Sequence, residues 1–487
     1  MNLQLHHLEI LVVALGIIIL MAEAFFPRER KSFLGWIAIG GLLAIFGLLF
    51  VAEPATGDEI SRAYASDRIA KFFKGFTLII TALVILMAID YKKVLSRFTE
   101  NPGREDGIAE YFALPLFACA GMMWMASAKD LVTAFAALEL TTITFYILVA
   151  YMRRNVGSLE AGIKYLILGA LSTGFLVYGI AWIYGGTGSM NLEVISTVLD
   201  EQMATETRTA ILFGLALILV ALAFKVGAAP MHLWIPDVYQ GAPTPTTTFL
   251  SVGSKAVGFI VALRILQPFL DSELTKNNAV IILSIIAAAT LLIGNLAAIA
   301  QTNLKRLLAY SSIANAGFIL LAVAAWQPAS ENALSSPQVV AIYLATYLVM
   351  TVAAFFALQS IAQSTGTESI ASLAGLGKTH PALAWTLTII FAALAGLPLT
   401  VGFIGKFFAF GVAVKAGLWL PVIVAFIGVT AGFYYYFKVI RTMFWNPSAN
   451  GPEIYLSPIT KAVVYPSAAL IIILGVYAQP LLDLVGA

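Results

Sequence analysis

Apolar residues run along this chain in blocks of about twenty, separated by short polar stretches. A helix needs about 20 such residues to cross the hydrocarbon core of a bilayer. Runs of this length form only helices in lipid, where backbone groups must be satisfied within the segment. Fourteen blocks qualify, near 8–26, 33–52, 72–90, 110–127, 130–151, 162–184, 209–229, 246–266, 279–300, 306–326, 338–361, 383–413, 417–438 and 460–484. The pattern predicts an all-α polytopic membrane protein. The first block is as long as a full span and is followed by Pro27-Arg28-Glu29-Arg30-Lys31, so it reads as a span rather than a cleaved signal peptide.

Two blocks are interrupted. Lys225-Val226-Gly227-Ala228-Ala229-Pro230 breaks the seventh, and Ala395-Gly396-Leu397-Pro398-Leu399-Thr400 breaks the twelfth. Paired Gly/Pro interruptions in two halves of a transporter point to inverted repeats with a site near mid-membrane. The expected organisation is a three-helix segment over 1–109, a five-helix repeat over 110–266, an inverted five-helix repeat over 279–438 and a C-terminal helix over 439–487. The predicted helix-break residues are Gly227, Pro230, Gly396 and Pro398.

Composition agrees with a lipid environment. Of the 487 residues 60% are hydrophobic and 11% charged, where a soluble domain carries roughly a quarter charged; mean hydropathy is +0.91. A net charge of +2 gives no case for nucleic-acid binding, and one cysteine, Cys119, excludes a disulfide framework or a cysteine-ligated iron–sulfur cluster. No HExxH, GxxxxGK[ST], GxSxG or strand-borne GxGxxG occurs, so no metal or nucleotide cofactor is expected on this chain. Lys and Arg are in excess on the odd-to-even connections, including Arg28, Arg30, Arg104, Arg153 and Arg154, which places those on the cytoplasmic side and both termini outside.

Four basic residues remain inside spans once the connections are counted: Lys164, Lys225, Lys255 and Lys406. Charges within membrane helices are costly, face protein or water, and mark ion and proton pathways. Glu139 is the one carboxylate near the middle of a span, with Thr142 on its face. Lys225 precedes the first break, where freed carbonyls can solvate an ammonium. Lys255 shares a stripe with Ser251 and Gly258, and Lys406 follows the second break. Burial disfavours the charged form of a lysine and a neighbouring carboxylate opposes that. Parting a Glu139–Lys225 pair would therefore prompt the lysine to give up its proton, which arginine would not do. Glu139, Lys225, Lys255 and Lys406 are the candidate proton-carrying residues. Lys164, with Glu160 four residues earlier, reads first as a helix-end ion pair and only second as support.

The string Phe224-Lys225-Val226-Gly227-Ala228-Ala229-Pro230-Met231-His232-Leu233-Trp234-Ile235-Pro236-Asp237-Val238-Tyr239-Gln240-Gly241-Ala242-Pro243-Thr244-Pro245 resembles the antiporter-like membrane subunits of respiratory complex I. Its Asp237–Pro245 portion is similar to the subunit N branch of that family. Leu304–Asn315 and Glu160–Ala170 agree, and the fourteen blocks extend the likeness over nearly the whole chain. The resemblance implies a proton-translocating subunit of a bacterial NADH:quinone oxidoreductase in the inner membrane. NADH, FMN, iron–sulfur clusters and quinone would belong to other subunits. Its partners would be the lipid bilayer, a neighbouring antiporter-like subunit and small membrane subunits. It assigns Glu139 and Lys225 to an ion pair, Lys255 to a bridging position and Lys406 to an exit. Asn315 stands where many relatives have a histidine, so water and Ser312 are expected to complete the path there. A Na+/H+ antiporter or membrane-bound hydrogenase subunit shares the same core and is the alternative reading.

Overall fold

The computed structural model describes residues 3–27, 31–98, 108–201, 204–328, 334–445 and 452–486. Arg28, Arg30 and Arg104 of the charge bias lie outside them. The described residues form helices joined by short turns, with isolated bridges and no strand. The long apolar rods are α1 (His7–Ala22), α2 (Ser32–Val51), α3 (Arg68–Leu95), α4 (Ile108–Ser127), α5 (Leu131–Val149), α6 (Val156–Thr187) and α7 (Thr205–Val226). They continue with α8 (Thr244–Asp271), α9 (Lys276–Ile299), α10 (Leu304–Ala324), α11 (Ser336–Thr365), α12 (Pro381–Ala395), α13 (Val401–Lys415), α14 (Trp419–Trp445) and α15 (Pro458–Val476). Twelve helices among the described residues are long and apolar enough to cross a membrane, and α1 and α12 are shorter apolar helices.

Local chemistry sets where several rods begin. Side chains of Asp67, Asp130, Asn155 and Asn303 accept hydrogen bonds from the first-turn amides of α3, α5, α6 and α10. Ser335 and Gln338 close a reciprocal capping box on α11. Burial then sorts the rods. Helices α8, α10 and α11 are buried almost all round, whereas α2, α6, α9 and α15 keep broad apolar faces exposed. An all-round apolar helix belongs at the centre of a bundle. These central helices carry or contact four of the buried lysines, Lys225, Lys255, Lys305 and Lys406.

The two interruptions are real but unequal. Helix α7 runs 22 residues before Gly227 ends it, and an eight-residue helix, Trp234–Gly241, follows the turn. The second break divides its span into α12 and α13, each of 15 residues. Gly227 (φ +76°) and Gly396 (φ +91°) both end their helices in the left-handed region, where a Cβ is penalised. A third device lies in α8. Leu250–Ser254 winds as a π-turn immediately before Lys255, a local expansion frequent at functional sites.

Candidate functional site

Lys225, Lys255 and Lys406 are all buried, between 2% and 8% exposed. Lys225 sits in the last turn of α7, and its Nζ donates to Thr142 Oγ1 of α5 at 2.9 Å. Glu139, one turn earlier on α5, is half-buried and accepts from Thr173 Oγ1 of α6 at 2.8 Å. No ion pair within 4.0 Å joins Glu139 to Lys225 among the described residues; each is bonded instead to its own threonine, Lys225 to Thr142 and Glu139 to Thr173, and Thr142 passes its own hydrogen to the Leu138 carbonyl. A cleft of about 10 Å³ between Thr142, Thr173 and Lys225 matches roughly the smallest space that holds one water.

The freed carbonyls expected to solvate Lys225 are occupied instead. Ala223 O takes the amide of Ala228, and Phe224 O takes the Gly227 amide and the Trp234 indole. The turn refolds onto its own helix end, which is why the ammonium reaches across to α5. The stem of Lys225 packs over Gly258 of α8, where an added Cβ would lie 3.2 Å from Lys225 Cγ. That close approach brings α7 against the helix bearing Lys255.

Lys255 Nζ donates to both the carbonyl and the Oγ of Ser312 on α10. Ser251, four residues before Lys255, bonds Tyr347 of α11 at 3.0 Å, and Ser312 also lies 3.3 Å from the Tyr239 hydroxyl. Ser251 and Ser312 are thus brought together with Lys255. The tyrosines were not singled out from sequence; their only signal was that Tyr343 and Tyr347 sit four apart within an apolar span.

Asn315 continues the α10 face one turn further. It donates to the Ser311 carbonyl at 2.9 Å and accepts from the Tyr343 hydroxyl at 2.8 Å. One more turn brings Phe318, whose ring lies 5.1 Å beneath Lys406 Nζ. Ser312, Asn315 and Phe318 therefore link Lys255 to Lys406 along about 9 Å of helix, at 1.5 Å per residue. Lys406 folds back across the second break and donates to Leu394 O at 2.9 Å and Ala395 O at 2.8 Å, the last carbonyls of α12. An ammonium suits the negative end of a helix. Freed carbonyls do hold a lysine here, but it is Lys406 rather than Lys225. A Cβ on Gly396 would stand 2.9 Å from the Lys406 stem.

Lys164 lies apart from this row. Its side chain is 42% exposed and pairs with Glu160 and with Asp237, each at 2.8 Å. Two buried lysines escaped the charge count. Lys305, which it assigned to a connection, is 2% exposed and donates to Ala242 O at 2.8 Å. Lys74, likewise assigned to a connection, is fully buried in α3 against Glu9. Both lie within two turns of a helix start, where spacing alone does not separate a loop charge from a core one.

Comparison with known proteins places this architecture. Residues 128–433 match the family described as NADH:quinone oxidoreductase/Mrp antiporter, TM. NADH-quinone oxidoreductase subunit N of Trichlorobacter lovleyi is 37% identical over 97% of this chain and 94% of its own length. A chain of respiratory complex I from Thermus thermophilus superposes with a TM-score of 0.78 at 29% identity, covering 98% of both chains. A chain of an archaeal membrane-bound sulfane sulfur reductase superposes with a TM-score of 0.83 at 27% identity, over 98% of this chain and 95% of its own.

Proposed function

The chain belongs to the subunit N family of NADH-quinone oxidoreductases, and on that premise we propose that Glu139, Lys225, Lys255 and Lys406 carry its protons. It is a multi-pass, proton-translocating membrane-arm subunit, and NADH, flavin, iron–sulfur and quinone chemistry resides in other subunits. The observation that carries the residue assignment is the series of buried polar groups Thr142–Lys225, Lys255–Ser312, Asn315–Tyr343 and Lys406 on the α12 carbonyls, with Gly258 packed between the first two and Phe318 before the last.

Each lysine is held by neutral oxygens, which accept hydrogen bonds from an ammonium without fixing its charge. Lys225 loses a proton when the Glu139 side moves away and regains one when it returns. The cleft beside Thr142 gives one water a position next to Lys225 and to Thr173, the hydroxyl that Glu139 accepts. The proton then passes to Lys255, across Ser312 and the Asn315–Tyr343 bond, to Lys406. Glu139 is half-buried in the single chain, and a carboxylate facing lipid is costly. A neighbouring membrane subunit covering this edge resolves that cost and gives the partner a direct means of biasing the pair.

We read 110–266 and 279–438 as inverted five-helix repeats, supported by one Gly-terminated break in each. The excess of Lys and Arg on the odd-to-even connections supports an inner-membrane orientation with both termini on the outer side. An antiporter or hydrogenase subunit is the weaker reading, because the full-length relatives at the higher identity are subunit N chains. Lys225→Met and Lys406→Met test the assignment in the assembled complex. NADH-driven acidification of membrane vesicles should fall severalfold while native gels show normal assembly. Normal pumping in either assembled variant would overturn it.

A further inference from the structure

The three-helix segment contains a second buried charge cluster that the path above does not use. Glu9 in the first turn of α1 and Lys74 of α3 form an ion pair in which neither side chain has any solvent exposure. The Tyr64 hydroxyl donates to Glu9 Oε1 at 2.8 Å and accepts from Lys74 Nζ at 2.8 Å. Lys74 spends its remaining donor on the Met123 carbonyl of α4 at 3.2 Å. A structural pair tying three helices together would account for these bonds alone.

Three further observations exceed that account. Glu9 Oε2 is buried with no hydrogen-bond partner, which an oxygen retained only for pairing would not favour. Tyr64 and His6 are, with Thr133, the polar groups of an open groove of about 550 Å³ whose other walls are apolar, among them Ile10, Trp124, Val132 and Leu140. Its wall residues Ala136, Ala137 and Leu140 flank Glu139 along α5, although Glu139 itself does not line it. On the inner side, Thr77 donates to the Lys74 carbonyl and Thr81 to the Thr77 carbonyl, so a hydroxyl row follows the buried face of α3. Ile80, beside Thr81, packs 3.5 Å from the Cβ position of Gly253, two residues before Lys255.

We infer that Glu9, Lys74 and Tyr64 form a proton-exchanging couple between the proposed path and the face of the protein that bears the chain termini. The inference rests on the proton path proposed above. The ammonium of Lys74 passes a proton to Glu9 Oε1, leaving a neutral amine and a neutral acid. Glu9 gives that proton to the Tyr64 oxygen as the hydroxyl, turning away from Glu9, releases its own to a water beside His6 at the mouth of the groove. One proton has left, Tyr64 is unchanged, and the neutral amine is reloaded from the inner side.

The test is made on the assembled complex in membrane vesicles, with acidification measured per NADH oxidised. Lys74→Arg keeps the ion pair but holds its proton tightly; the double variant E9Q/K74M removes both charges and leaves no unpaired one. Both should assemble and acidify severalfold less than wild type, and Tyr64→Phe should do the same with only a hydroxyl lost. A structural role predicts wild-type acidification for Lys74→Arg and for the double variant, and that result, or wild-type acidification by Tyr64→Phe, would overturn the inference. Lys225→Met run alongside separates the two readings. If it pumps normally the path itself fails; if it fails while E9Q/K74M pumps, only the exchanging couple is wrong.

Discussion

Lys225 is held by a single side-chain hydroxyl, and that makes Thr142 the most informative residue to change. A hydrogen bond to a charged group contributes about 1.5–3 kcal/mol, and losing the acceptor leaves the ammonium buried and unsatisfied. Thr142→Val keeps the shape of the side chain on α5 and removes the oxygen that Lys225 reaches at 2.9 Å. It should lower NADH-driven proton pumping severalfold in an assembled complex, while Thr142→Ser, which keeps the oxygen, should restore most of it. Vesicle acidification assays on the two variants decide the matter. At this scale the sequence exposed Lys225, Lys255 and Lys406 because each interrupts an otherwise apolar span. It did not expose Lys74 and Glu9, which sit near helix starts beside Arg68, Lys71 and the polar N-terminus, where charge is ordinary. Nor could spacing foresee that Lys225 would bond Thr142 and Glu139 would bond Thr173, because that depends on how α5, α6 and α7 are rotated against one another.

The breaks carry the argument at the scale of elements. Gly396 ends α12 at φ +91°, and the stem of Lys406 passes 2.9 Å from where its Cβ would be. Left-handed backbone costs a non-glycine residue about 1–2 kcal/mol, and here the added methyl also pushes the lysine off the α12 carbonyls. Gly396→Ala should therefore lower proton pumping more than it lowers assembly, with the melting temperature of the purified complex reduced. Gly227→Ala differs, because its Cβ would strike Ile235 at 2.1 Å rather than a lysine. It should fail chiefly in assembly, visible on native gels. Most span positions were legible: the fifth block, 130–151, is α5 at Leu131–Val149, and the eighth, 246–266, falls within Thr244–Asp271. The unequal placement of the two breaks was not legible. Proline and glycine mark where a helix stops, but what the freed carbonyls bond next depends on Trp234 in one case and Lys406 in the other.

At the scale of the whole molecule, one face is tied by Asp237, which joins the Trp234–Gly241 helix to α6 and α10. Lys164 reaches it at 2.8 Å and Arg306 at 2.7 Å. Burial alone would raise the Asp237 carboxyl, but the hydrogen bonds and charges of Lys164 and Arg306 outweigh it and hold it below the usual carboxylate range. A carboxyl lowered in the folded state stabilises above its unfolded value and loses that contribution as pH falls through the folded one. The pair is partly exposed, so the contribution is small. Asp237→Asn should accordingly lower the thermal stability of the purified complex slightly and by a constant amount from about pH 8 to about pH 5. The gap should close only as pH falls below about 4, near the ordinary aspartate value. Melting curves of both proteins across that range check it. A gap that opened instead near pH 6 to 7 would assign the effect to a histidine, with His232 the nearest candidate in sequence. The distinction matters for the molecule as a whole, because the clamp joins the turn after α7 to α10, the helix whose face connects Lys255 with Lys406. A clamp that keeps its charge throughout the physiological range acts as a fixed strut beside the proposed proton path, and not as one of its stations.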